Sequence, residues 1–355
     1  MSNSEAPSGR SAGLPTGRAP GRSAVLAGLG GWVPPRQVTN ADLSARLDTS
    51  DSWIRSRTGI ATRHVVAPGD ATSDLAVEAG RLALKSAGGA DGEDGADAVV
   101  LATTTPDRPC PATAPEVADR LGLGGSAAFD VSAVCTGFLY ALAAGQGLIA
   151  AGTAERVLVI GADAFTTIID PQDRGTAVIF ADGAGAVVLR AGRPDEPGAL
   201  GRVFLGSDGS RSQLIQVPAG GSRQRSTGVP ARERDTYFQM SGQQTFRQAV
   251  ERMSAVSRQA VDSAGWKLAD VDRIAAHQAN ARILGAVGEE LGVPEERFLS
   301  NIEHVGNTGA ASIPLLLHHS HADRSLGTGD RLLLTAFGAG LAWGATTVVW
   351  PDLPG

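Results

Sequence analysis

Short apolar runs alternate along this chain with longer stretches whose apolar positions recur every three or four residues, the rhythm of strand–helix–strand units. In the first half this pattern predicts strands over 25–33, 98–103, 127–131, 157–161 and 184–190. Helices are expected between them, near 42–47, 72–86, 112–121 and 137–151. A second series follows, with strands at 203–206, 273–276, 331–335 and 346–350. Its helices fall at 242–263, at 280–291 and after Gly309. The two series end alike, in Asp182-Gly-Ala-Gly-Ala-Val-Val-Leu189 and in Phe337-Gly-Ala-Gly-Leu-Ala-Trp-Gly-Ala-Thr-Thr-Val-Val349. This reads as an internal duplication: an α/β chain with one half over 24–200 and a second over 201–355. Residues 192–235, rich in Arg, Gly, Ser and Pro, read as the connection plus a surface excursion, its arginines at 222–234 solvated. Residues 1–23 hold almost nothing apolar and are expected to form a disordered tail.

Composition narrows the class. The 355 residues are 42% hydrophobic and 19% charged, and no apolar run is long enough to span a membrane, so a soluble protein is expected. A net charge of −6 argues against a protein built mainly to hold nucleic acid or anionic lipid. Almost all the basic residues are arginine, since lysine occurs only at Lys85 and Lys267. Two cysteines, Cys110 and Cys135, are too few for a disulfide framework and fit a reducing cytoplasm. The glycines of Gly28-Leu-Gly30 and Gly183-Ala-Gly185 lack the full dinucleotide-binding fingerprint and read as tight strand turns. His318-His-Ser-His321 has no cysteine or carboxylate partner set nearby, so no metal site is assigned there.

Three polar residues stand where a strand gives way to a helix. Cys135 lies in Asp130-Val-Ser-Ala-Val-Cys-Thr-Gly-Phe-Leu139. At that position the unpaired amides and positive end of the following helix would favour thiolate over thiol. A small buried core thiol is the alternative. His277 ends a strand in Arg273-Ile-Ala-Ala-His-Gln-Ala-Asn280; a structural, hydrogen-bonded histidine is the bland alternative. Asn307 sits in Gly306-Asn-Thr-Gly-Ala-Ala-Ser312, where a helix cap is the plain reading. Together, at the carboxyl edge of an α/β sheet, the three suit acyl-thioester chemistry, with a sulfur nucleophile and two nitrogen donors for charge on a carbonyl oxygen.

These segments, with Asp170-Pro-Gln-Asp-Arg-Gly-Thr176, Phe180-Ala-Asp-Gly-Ala-Gly-Ala186, Ala336-Phe-Gly-Ala-Gly340 and Ser52-Trp-Ile-Arg-Ser-Arg-Thr-Gly-Ile60, resemble those of β-ketoacyl-acyl-carrier-protein synthase III, a condensing enzyme of the thiolase superfamily. The likeness runs in order from about residue 24 to residue 350. It implies a five-layered αβαβα sandwich of two duplicated βαβ halves, forming a homodimer. It implies Cys135 as nucleophile, His277 and Asn307 as its partners, and the amides of Cys135 and Ala339 as the oxyanion hole. Acyl-coenzyme A and malonyl-acyl carrier protein would be the substrates, with no further cofactor. Trp53 and Arg174 would flank the coenzyme A adenine and Arg57 its phosphates. Without the resemblance, Arg174 reads as a turn residue.

Cys110 and Phe337 would belong to the acyl pocket. Cys110 falls where many relatives carry a bulky residue contributed across the dimer, so a starter larger than acetyl is expected: propionyl, butyryl or a branched chain. Arg247 and Arg282 would meet the acidic carrier protein, although Glu289-Glu290 stand where lysines are usual and weaken that patch. The order Cys, His, Asn also matches papain-like hydrolases, but their signature around the cysteine is absent. A type III polyketide synthase, or an acyltransferase to a hydroxyl or amine, are alternatives on the same scaffold. Fatty-acid and aromatic polyketide initiation are not separated by the residues.

Overall fold

The strand Arg156–Asp163 shows why the chain folds in layers. Val157 and Val159 point into one apolar cluster while Leu158 and Ile160 point into another on the opposite face, so both faces need a cover. The computed structural model describes residues 21–88 and 95–354, with thirteen strands among them. These are β1 (Ser23–Trp32), β2 (Gln37–Thr39), β3 (Thr62–His64), β4 (Ala98–Ala102), β5 (Ala127–Val131), β6 (Arg156–Asp163) and β7 (Gly183–Gly192). They continue as β8 (Phe204–Ser207), β9 (Ile215–Gln216), β10 (Gln239–Met240), β11 (Arg273–Ala276), β12 (Arg331–Gly338) and β13 (Ala342–Val349).

Two sheets repeat one plan. The first runs β1-β7-β6-β4-β5 and the second β8-β13-β12-β11. In each, two antiparallel pairings are followed by parallel pairing, twice in the first sheet and once in the second. The matching segments noted in the sequence, in β7 and β13, occupy corresponding places. Helices Gly137–Ala150 and Ser312–Ala322 lie between the sheets, where Phe138, Leu142, Leu316 and Leu317 share a core with Leu189 of one sheet and Leu334 of the other. Helix Thr72–Ser86 covers the outer face of the first sheet, and helices Gly242–Ser263 and Ala281–Leu291 cover the second. The result is the αβαβα sandwich of the thiolase fold. No helix among the described residues is long and apolar enough to cross a membrane.

Three expectations need correction. The paired glycines are not turns: Gly28 and Gly30 lie within β1, where a Cβ would overlap the carbonyl oxygens of Ala83 and Ala79 on the covering helix. Gly185 lies within β7 and meets the backbone of Pro314 and Leu315 in the same way. These residues are glycine so that helix backbone can sit directly on the sheet. The strands read as ending at residue 335 and starting at 346 are longer, because β12 and β13 join in a tight hairpin through the Gly-Ala-Gly segment. Residues 1–20 of the expected tail lie outside the described residues, but Ser23 opens β1 and Arg22 pairs with Glu155.

Candidate active site

Cys135 follows β5 and precedes helix Gly137–Ala150 by one residue. The turn is sharp: Val134 holds φ +47°, a left-handed conformation that costs a β-branched residue about 1–3 kcal/mol. Gly137 opens the helix where a Cβ would stand 3.0 Å from that of Ala102, so the turn is pressed against the end of β4. From the other side Gly338 approaches so closely that a Cβ there would lie 2.9 Å from the Cβ of Cys135 and 3.0 Å from its amide nitrogen. The β12–β13 hairpin, with Ala339 at its tip, is thereby set against the cysteine.

The helix terminus is where the sequence placed it, but it does not decide the protonation state of the sulfur. Burial, reinforced by the carboxylate of Asp163, pushes the Cys135 thiol up to about 12, against a smaller lowering from a backbone hydrogen bond. Burial thus works against the lowered pKa expected from the helix terminus. Asp163 was not singled out in the sequence. It is buried and accepts hydrogen bonds from the Thr104 and Ala310 amides (2.6 and 2.7 Å) and from the Thr103 and Thr105 hydroxyls (3.1 and 3.3 Å). Burial raises its own pKa to about 6 despite these donors. It ties the end of β6 to the loop after β4 and to the turn that follows Asn307.

His277 directly follows β11, its amide donating to the Thr335 carbonyl at 2.9 Å, and is 2% exposed. Among the described residues Nδ1 has no hydrogen-bond partner, and no carboxylate holds the ring. Burial alone pushes its pKa down to about 4, so the imidazole is neutral near pH 7 and free to accept a proton or donate its single N–H. Asn307 is buried, with Oδ1 accepting from the Gly309 amide at 3.0 Å. This is a local Asx turn rather than the expected helix cap, since Thr308 holds the cap position of the next turn; it commits the oxygen while leaving the side-chain nitrogen to other uses. The Asn307 backbone bridges the segment before β7, its N–H donating to the Ile179 carbonyl (3.0 Å) and its carbonyl accepting from the Ala181 amide (2.9 Å).

Cys135, His277, Asn307, Ala339 and Phe337 all line one cavity of about 290 Å³, largely apolar. Trp53 and Arg57 stand in its wall and Arg282 joins them. Arg57 and Arg174 both stack on the Trp53 ring, their guanidinium carbons 5.0 and 4.8 Å from its centroid. Arg174 opens a one-turn helix capped by Asp173 and donates to the Asp48 carbonyl at 2.6 Å. Arg174 is thus a turn residue, as its local sequence suggests, and also one of the two guanidinium groups over the Trp53 ring. Beside the cavity a second, open depression is lined by Arg57, Arg247, Arg282, Asn280 and Phe246, so three arginines converge there. Glu289 and Glu290 are exposed at the far end of helix Ala281–Leu291, which holds Arg282 in its first turn.

Not every expected residue gathers at this cavity. Cys110 is exposed and does not line it. Conversely, the surface excursion contributes more than expected: its stem β9–β10 brings Ile215, Phe238 and Met240 into the wall. Phe238 packs edge-on against Phe165 and Phe180, which stack 4.4 Å apart. The alternation around 215 and 238 could have flagged these residues, but both are embedded in polar sequence. Among the described residues no group of three His, Cys, Asp or Glu is arranged to hold a metal ion. His319 instead meets the Asn301 amide at 3.0 Å, and His321 accepts from the Trp350 indole at 3.3 Å.

Comparison with known proteins identifies the family. Residues 129–209 match the family model of 3-oxoacyl-[acyl-carrier-protein] synthase III, and residues 261–350 match its C-terminal model. A Streptomyces coelicolor protein named β-ketoacyl-[acyl-carrier-protein] synthase III 3 is 59% identical over 330 residues, covering 93% of this chain and 98% of the relative. The corresponding enzyme of Pseudomonas aeruginosa PAO1 has a crystal structure that superposes with a TM-score of 0.86 at 48% identity, covering 94% of this chain and all of that one. The priming β-ketosynthase of the R1128 polyketide pathway superposes equally well at 33% identity, over 96% of this chain and all of that one. The chain belongs to the β-ketoacyl-acyl-carrier-protein synthase III family of chain-initiating condensing enzymes, which are acyltransferases.

Proposed function

We propose that the protein takes a starter acyl group from coenzyme A onto Cys135 and condenses it with malonyl-acyl carrier protein. The observation that carries this reading is the convergence of one thiol, one uncharged imidazole and one carboxamide on a single apolar cavity whose mouth is lined by arginines and a tryptophan. In the first step the Cys135 sulfur attacks the thioester carbonyl while its proton passes to His277, the neutral base in the same cavity. The amides of Cys135 and Ala339 receive the oxyanion. Collapse breaks the carbon–sulfur bond to coenzyme A, whose thiolate takes the proton and leaves. Trp53 with Arg174 and Arg57 supplies a stacking surface and positive charge for the nucleotide end.

In the second step malonyl carrier protein docks over Arg247 and Arg282. Loss of carbon dioxide leaves an enolate whose oxygen accepts hydrogen bonds from His277 and Asn307. Its carbon attacks the Cys135 thioester, forming the new carbon–carbon bond and expelling the cysteine sulfur as a thiolate, which takes a proton from water. Removing one preorganised donor of this kind costs about 2.7–4 kcal/mol, or ~10²–10³ in rate.

We assign the working unit as a homodimer. The outer edge of β5 pairs with no strand among the described residues, and Phe129 on it is 37% exposed. The loop that carries Cys110 is tied to this edge, since the Thr113 amide donates to Asp130 at 2.8 Å. An exposed loop tied to this unpaired edge supports the reading that Cys110 reaches a partner's cavity, where a small thiol would leave room for starters longer than acetyl. A panel of acyl-coenzyme A thioesters with malonyl carrier protein tests the whole reading. Carrier-bound β-ketoacyl product, with propionyl or longer starters preferred, is expected. Free acid alone, or an ester or amide product, overturns the condensation, and acetyl preferred about tenfold (~1.4 kcal/mol) overturns the starter assignment.

A further inference from the structure

Arg63, in β3, is 1% exposed and among the described residues has no carboxylate partner. Its guanidinium donates to the carbonyls of Val178 (3.0 Å) and Val38 (3.3 Å), and Nε donates to nothing. An unpaired buried cation opposes folding, so its presence calls for a use outside stability. Burial lowers its pKa to about 10, which leaves it charged at neutral pH. Its surroundings lead to Asn307. Val178 lines the active-site cavity, the next carbonyl (Ile179) accepts the Asn307 amide, and the Asn307 carbonyl accepts from Ala181. The ladder continues as the Asp182 amide donates to the His64 carbonyl. Gly306, at φ +76°, rests on the base of the arginine itself: a Cβ there would stand 3.2 Å from that of Arg63.

We propose that Arg63 is a positioning residue for Asn307, clamping the 178–182 segment from one side while Asn307 is bridged to it from the other. The inference rests on the two-step reading above, in which only the second step uses the Asn307 amide. Three variants separate the two. Arg63→Met removes charge and donors at similar length, Arg63→Lys keeps the charge and one donor, and Asn307→Ala removes the group being positioned. Acyl loading from acyl-coenzyme A and condensation with malonyl carrier protein are measured separately, alongside the melting temperature.

For Arg63→Met we expect condensation slowed at least tenfold, loading within twofold of wild type, and a melting temperature unchanged or higher. Arg63→Lys should recover most of the lost rate, and combining Arg63→Met with Asn307→Ala should slow condensation no more than Asn307→Ala alone. If Arg63→Met does not fold, Arg63→Gln carries the same test, with condensation slowed and loading intact. Condensation at the wild-type rate in Arg63→Met, loading and condensation falling in parallel, or full multiplication of the two single effects each overturn the proposal. Asn307→Ala with undiminished condensation overturns the two-step reading instead; slow Asn307→Ala beside normal Arg63→Met overturns only the role of Arg63.

Discussion

Gly338→Ala is the smallest change that reaches the reacting sulfur. The added Cβ would stand 2.9 Å from the Cβ of Cys135 and 3.0 Å from its nitrogen. Carbon–carbon contacts settle near ~3.5–4.0 Å, so the hairpin or the cysteine turn must retreat by about 0.6 Å or more. Neither neighbour is the end of a flexible side chain, and the backbone of Gly338 is not in the left-handed region, so contact rather than conformation sets the cost. Overpacking of this kind costs about 1–3 kcal/mol of stability. The same displacement moves Ala339 away from Cys135, and misplacement approaching 1 Å at a reacting centre costs ~10² in rate. Rapid-mixing intact-mass measurement of the acyl adduct should show loading slowed about a hundredfold in a folded variant. Gly147→Ala is the control: it lies in helix Gly137–Ala150 with no atom within 4 Å of an added Cβ. It should load normally and gain about 0.5–1 kcal/mol. Loading of Gly338→Ala within threefold of wild type would refute the close approach of hairpin and nucleophile.

The remaining predictions concern protonation and the nucleotide end. The folded pKa of His277 lies below its ordinary 6.5, at about 4, so its contribution to stability is complete above 6.5 and is lost as pH falls through about 4. This is worth about 3 kcal/mol. Denaturant titrations should show His277→Gln losing less stability than wild type over that interval, and equal losses would contradict it. Alkylation of Cys135 in the unliganded protein should rise with pH along a curve whose midpoint lies above the ~8.5 of a free cysteine; a midpoint below neutrality would restore the helix-terminus expectation. Trp53→Ala should raise KM for acyl-coenzyme A about tenfold with saturated loading unchanged, since one stacking face is worth ~1–3 kcal/mol. A fall in saturated loading with constant KM would place Trp53 elsewhere in the reaction.

Local pattern carried much of the architecture. β6 is buried on both faces and shows as a continuous apolar run, and the repeat of β7 in β13 is visible as repeated residues. What the sequence hid depends on contacts between distant segments. Gly28 and Gly185 look like turn glycines until the helix resting on each is seen. The helix behind Cys135 is a local feature and was legible, whereas the burial and the Asp163 carboxylate that raise its pKa come from the packing of β6 and the 309–311 turn. Helix Asp51–Thr58, which holds Trp53 and Arg57, is mostly polar and showed only as a motif. Arg63 gave no signal at all, because nothing in Thr62-Arg-His64 distinguishes a buried arginine from an exposed one.

The central claim is that one sulfur carries the starter chain between coenzyme A and the carrier protein. Intact-mass spectrometry of the wild type and Cys135→Ala after incubation with an acyl-coenzyme A mixture tests it most directly. A single acyl adduct on the wild type, discharged by malonyl carrier protein and absent from Cys135→Ala, is the predicted result. An adduct at full occupancy in Cys135→Ala would contradict it.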